Sequence, residues 1–116
     1  MKSLLIVEDD LLILKLLREF LKNYTLFLAE EYNVAIKHIK NENIDLCLVD
    51  YTLPYKNGIS LIKEIKCIRN IPCILTSGWT EEMIKEKENT EKVDVFLQKP
   101  ASIYKLKKVI EELLKE

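Results

Sequence analysis

Glycine is almost missing from this chain, which has only Gly58 and Gly78. Phosphate-cradling loops need several glycines in a short span so that backbone N–H groups can close on the anion. A P-loop and a dinucleotide fingerprint are therefore excluded. Histidine occurs once, as His38, near an apolar helical stripe and without a cysteine or carboxylate at ligand spacing, so it is read as structural. The three cysteines, Cys47, Cys67 and Cys73, are odd in number and lack metal-type spacing, and they are read as buried, reduced thiols. No apolar run approaches the ~18 residues of a membrane helix. The opening Lys2 to Val7 does not have a signal-peptide layout, so a cytoplasmic location is expected. An excess of either charge is lacking too. With 18 basic and 19 acidic residues, and no block of like charges, the chain offers no footprint for nucleic acid or a membrane surface.

What is present is an ordinary globular composition, 48% hydrophobic and 32% charged over 116 residues. That length suits one domain, expected over residues 1–116, with about two thirds of its unfolded surface buried. Short apolar, partly β-branched runs alternate with stretches of helical period, the pattern of βα units around a parallel sheet. Strands are expected at 3–8, 25–29, 44–50, 71–76 and 93–98. Between them, Ile13, Leu16, Leu17, Phe20 and Leu21 form a stripe on a first helix that Asp10 can cap. Val34, Ala35 and Ile39 mark a second helix, Leu61, Ile62, Ile65 and Ile68 a third, and Ile103, Leu106, Val109, Ile110, Leu113 and Leu114 the last. The fourth, within 80–89, has only Met83 and Ile84 to bury among Glu and Lys, so packing should hold it weakly.

In a doubly wound α/β sheet, ligands bind beyond the carboxyl ends of the strands. Those ends carry Glu8, Asp9 and Asp10 after the first strand, Asp50 closing the third, Thr76 and Ser77 after the fourth, and Lys99 before Pro100 after the fifth. Several carboxylates on one edge supply the hard oxygen ligands that Mg²⁺ prefers. A carboxylate fixed at a strand end can act as a nucleophile toward phosphorus once a metal and a cation neutralise the incoming oxygens. Asp50 fits that role, Lys99 is the available cation, and Ser77 can donate a hydrogen bond.

The run Asp50-Tyr51-Thr52-Leu53-Pro54-Tyr55-Lys56-Asn57-Gly58 resembles the phosphoacceptor motif of bacterial two-component response-regulator receiver domains, chemotaxis-regulator-like in kind. The resemblance covers essentially the whole chain. It implies a five-stranded parallel α/β sheet in the flavodoxin-like order 2-1-3-4-5, with the first and last helices on one face and the other three on the opposite one. It also implies that Glu8, Asp9, Asp50 and the Thr52 carbonyl bind Mg²⁺. Asp50 would accept the phosphoryl group, with Ser77 as switch hydroxyl, Lys99 as cation, Phe96 at the aromatic switch position and a cis bond at Lys99-Pro100.

The partners implied are a histidine kinase or phosphotransfer protein upstream and a downstream protein or output domain. A phosphorylation-dependent homodimer is compatible with the resemblance. Catalysis would be limited to self-phosphorylation and slow autodephosphorylation, not turnover of a metabolite. The chain departs from the family at Glu8, where Asp is commoner, at Lys92-Val93 and at Ala101, where bulk is common. A haloacid dehalogenase-type phosphatase would want an Asp where Thr52 stands, and a flavodoxin would not place Glu8-Asp9-Asp10 against a phosphate. The remaining alternative is a receiver-like docking module that works without phosphorylation.

Overall fold

In the structure, a computed structural model that describes residues 1–115, five parallel strands form one sheet. They are β1 (Ser3–Val7), β2 (Thr25–Ala29), β3 (Leu46–Asp50), β4 (Cys73–Ser77) and β5 (Val95–Gln98), in the order β2-β1-β3-β4-β5. Five helices alternate with them: α1 (Leu11–Phe20), α2 (Tyr32–Asn41), α3 (Gly58–Ile68), α4 (Glu81–Lys87) and α5 (Ile103–Leu113). This is the expected flavodoxin-like arrangement.

Side chains alternate across each strand, so the two faces collect different residues. Leu5, Val7, Cys47, Val49, Cys73 and Leu75 pack against α2, α3 and α4. Leu4, Ile6, Leu46, Leu48, Ile74 and Leu97 pack against α1 and α5. Strands covered on both faces need continuous apolar sequence, which is why every residue of β3 is buried.

Four strands depart from their expected limits: β1 ends at Val7, one residue early, and the other three begin later, each where a residue is used otherwise. Asp45 turns its carboxylate to the Ser3 N–H at 2.7 Å, and β3 begins after it. Pro72 has no N–H for the ladder, and β4 begins at Cys73 and runs on to include Ser77. Asp94 accepts from the Cys73 N–H and from Lys66 Nζ, both at 2.7 Å, and β5 begins at Val95.

The helical stripes are narrower than their sequence pattern. Leu16, Phe20, Val34 and Ile68 are exposed, while Tyr32 and Ile36 join the core of α2. Cys67 is exposed, so the expectation of three buried thiols is corrected to two. Its place on the outer side of α3 decides this. His38 is half-buried, with Nε2 3.2 Å from the Leu28 carbonyl, in keeping with a structural role.

Helix α4 stands apart. Thr80 caps it by accepting from the Met83 N–H at 3.2 Å, and among its residues only Ile84 is buried, since Met83 faces out. One buried isoleucine contributes about 2 kcal/mol. Ordering a residue's backbone costs roughly 1–2 kcal/mol. A helix of seven residues therefore depends on its end contacts.

Candidate functional site

Parallel strands bring their carboxyl ends to one edge, and the register decides which residues meet there. Asp50 lies opposite Thr76, and Val7 opposite Val49, which puts Glu8 one step beyond β1 beside Asp50. Lys99 follows β5, with its N–H bonded to the Ser77 carbonyl at 2.7 Å and a cis bond to Pro100. Lys99 Nζ lies 3.1 Å from Asp50 Oδ2 and 3.2 Å from Glu8 Oε1. Asp50 Oδ1 accepts from the Thr52 N–H at 3.3 Å, and Glu8 Oε2 from the Asp10 N–H at 3.2 Å. Asp10 itself faces α1, accepting from the Leu12 N–H at 3.0 Å as an N-cap.

Carboxylate oxygens of Glu8, Asp9 and Asp50 all lie within 4.8 Å of one another. Two unit charges at that separation repel by roughly 3 kcal/mol at the effective dielectric of a partly buried site. One ammonium does not balance three carboxylates. The molecule responds at Glu8, which is 4% exposed. Burial, then the neighbouring Asp50 carboxylate, raise its pKa to about 7 against the opposing Asp10 N–H and Lys99. Burial alone would lower the Lys99 pKa, but the hydrogen bonds and charges of Asp50 and Glu8 outweigh it and raise it. A cluster short of positive charge, built of hard oxygen donors, fits a divalent cation such as Mg²⁺.

Of the remaining expected residues, Ser77 and Thr52 lie at this same edge of the sheet, and Phe96 lies on one of its faces. Ser77 is buried at the end of β4, and its hydroxyl accepts from the Trp79 N–H at 2.9 Å. The neighbouring hydroxyl, Thr76, instead lines the groove between α1 and α5. Thr52 sits in the loop after Asp50, exposed. Phe96 is half-buried against the α2, α3 and α4 side of the sheet. Gly58 holds the far end of that loop close. A Cβ there would stand 2.4 Å from the Asp50 carbonyl oxygen, so only glycine permits the approach. The short Ala101 and Pro100 help leave an apolar groove of about 410 Å³ beside the crevice, walled by Leu16, Phe20 and Ile103.

Sequence reasoning missed Glu88. Its Oε2 accepts from Tyr51 Oη and Asn57 Nδ2, each at 3.0 Å, and so ties α4 to both ends of the loop after Asp50. Nothing in a run of Glu and Lys marks one carboxylate as the partner of residues 31 and 37 positions away.

A five-stranded sheet of this order with an acidic crevice at its carboxyl edge defines the class. The family model described as "Response regulator receiver domain" matches residues 4–111, and the chain belongs to that family. It is 29% identical over 107 residues to the transcriptional regulatory protein CpxR of Escherichia coli (strain K12), covering 86% of this chain and 44% of that protein. It is 31% identical over 100 residues to the regulatory protein VanR of Enterococcus faecium, covering 84% and 43%. The chain thus spans less than half the length of these curated relatives. Among solved structures, a CheY-like receiver domain from Methanospirillum hungatei JF-1 superposes with a TM-score of 0.90 at 26% identity, covering 98% of this chain and 94% of that one. The response regulator TrrA of Thermotoga maritima, solved in complex with Mg(2+)-BeF, gives 0.88 at 26% identity, covering 98% and 100%.

Proposed function

We propose that this chain is the phosphoacceptor of a two-component signalling system, taking a phosphoryl group on Asp50 from a histidine kinase or phosphotransfer protein in the cytoplasm. The observation that carries the reading is Lys99 Nζ held between Asp50 and Glu8, in a crevice whose three carboxylates remain short of positive charge. A carboxylate so placed is fixed for in-line attack. An oxygen of Asp50 bonds to phosphorus as the P–N bond of the donor's phosphoimidazole breaks, and the imidazole leaves with that electron pair. Lys99 accompanies the developing charge on the phosphoryl oxygens, and the Ser77 hydroxyl gives up the Trp79 N–H to donate to one of them. Glu8, Asp9 and Asp50, with the Thr52 carbonyl, would hold Mg²⁺, which when bound would supply the charge neutralisation that the single lysine does not. Residues 1–116 act as a single receiver domain.

Signal leaves through α4, β5 and α5, toward a downstream protein, an output domain or a second copy of the chain. When Ser77 turns to the phosphoryl group, Phe96 moves into the space released. The acyl phosphate decays slowly, since neither Thr52 nor Trp79 offers an acid or amide to orient an attacking water. Trp79→Ala and Thr52→Asn should each shorten its lifetime once donor is removed. The deciding experiment is mass spectrometry after incubation with acetyl phosphate. The parent chain gains one phosphoryl group with Mg²⁺ and none with chelator, and Asp50→Asn gains none. An unmodified parent would leave phosphorylation-independent docking as the function.

A further inference from the structure

The end of α4 reaches both loops that border the crevice. Glu88, whose N–H closes α4 on the Ile84 carbonyl at 2.8 Å, turns its carboxylate to the β3–α3 loop. The residue before it, Lys87, places Nζ 5.0 Å from the centre of the Trp79 ring in the β4–α4 loop. The Trp79 N–H in turn donates to the Ser77 hydroxyl.

The contact with the β3–α3 loop is the more specific of the two. Tyr51 directly follows Asp50, and Asn57 caps α3 by accepting from the Ser60 N–H at 3.0 Å. The loop between them is closed by a backbone bond from the Gly58 N–H to the Tyr51 carbonyl at 2.8 Å. Glu88 Oε2 joins the same two ends through side chains, accepting from Tyr51 Oη and Asn57 Nδ2. Both bonds are charge-assisted and half-buried, where solvent competes less. Burial and the Glu88 carboxylate raise the Tyr51 pKa, which keeps this donor protonated.

We propose that Glu88 is a positioning residue for the Asp50 site: it clasps the loop of residues 51–57 through Tyr51 and Asn57 and so couples the seating of α4 to the placement of Asp50 and Thr52. The coupling to Asp50 rests on the phosphoacceptor reading; the clasp itself does not. Coupling of this kind runs both ways, so occupation of the crevice must steady α4 by the factor with which a seated α4 favours occupation.

The test uses Asn57→Asp, which keeps the capping oxygen of α3 but replaces the donor to Glu88 by a second carboxylate. Glu88→Ala removes the acceptor. The double variant Asn57→Asp/Glu88→Gln restores a bond, because the new amide can donate to the new carboxylate. Amide hydrogen exchange of the metal-free chains and calorimetric titration with MgCl₂ are read beside urea denaturation. Both single variants should speed exchange in α4 and in residues 51–58 together, and should weaken Mg²⁺ binding by about fivefold or more. The double variant should recover both. Faster exchange in α4 alone, or a double variant that recovers nothing, overturns the clasp. A loop that loosens while Mg²⁺ affinity stays at the parent value overturns the positioning role. A parent chain that binds no Mg²⁺ and takes no phosphoryl group overturns the site reading, while the exchange results still decide the clasp.

Discussion

Lys99 Nζ stands 3.1 Å from Asp50 Oδ2, although β3, which ends in Asp50, and β5, which Lys99 follows, are separated by β4. That ammonium also meets Glu8, so its removal leaves two buried carboxylates facing each other. Lys99→Met keeps the aliphatic stem and deletes the charge. We expect it to lower stability at pH 7 without Mg²⁺ by roughly 1–2 kcal/mol, below the value for a fully buried pair because the lysine is partly exposed. Urea unfolding with and without MgCl₂ checks this, and the loss should shrink when the cation is present.

The pH dependence follows from Glu8. Its pKa lies near 7 in the folded chain against 4.5 as the ordinary value. Between those limits the folded state binds more protons than the unfolded one, so stability contributed at Glu8 is complete below pH 4.5 and is lost as pH rises through 7. The metal-free parent should therefore lose stability across that interval relative to Glu8→Gln. Mg²⁺ should oppose the loss, since its ligands bind deprotonated. Chemical denaturation from pH 4.5 to 8 is the measurement, and parallel curves for parent and variant would contradict it.

Gly58→Ala tests how tightly the loop after Asp50 is closed. The added methyl meets the Leu75 side chain and, closer still, the Asp50 backbone, which yields less easily. A loss of about 2–4 kcal/mol is expected, with phosphoryl uptake reduced even where the variant stays folded. Full stability in a thermal melt would mean that the loop relaxes freely.

The sequence carries the architecture because each element repeats one signal many times. Strands β1 and β3 are nearly continuous apolar runs, and α1 is capped by the Asp10 that precedes it. Glu8, Asp9, Asp50, Ser77 and Lys99 were legible because they sit at strand ends, and in a parallel sheet those ends share one edge. What was not legible depends on direction. Leu16 and Phe20 fit the periodic stripe of α1, yet they face the groove beside α5, and the spacing of apolar residues does not distinguish a core from an open cleft. Glu88 was hidden for a related reason. Its partners are fixed by the packing of α4 over the β3–α3 loop, a relation that no local pattern encodes.

The thiols offer a check on burial itself. Cys47 and Cys73 are register partners on β3 and β4 with no exposed surface, and the Cys47 pKa is pushed well up by its hydrogen bond to Cys73 and by burial. Cys67 faces solvent. Titration with a chromogenic disulfide reagent should consume one thiol rapidly in the native chain and all three in denaturant. Rapid reaction of a second thiol would show that the β3–β4 seam opens in the native state.

The bond from Lys99 to Glu8 spans 91 residues of sequence. The acidic residues precede their counter-charge in the sequence, so a polypeptide synthesised only through β3 holds the repelling half of the crevice without the half that quiets it. The nascent molecule thus has no finished crevice until the fifth strand is in place. The balancing of charge in the crevice is a record that the sheet has been completed.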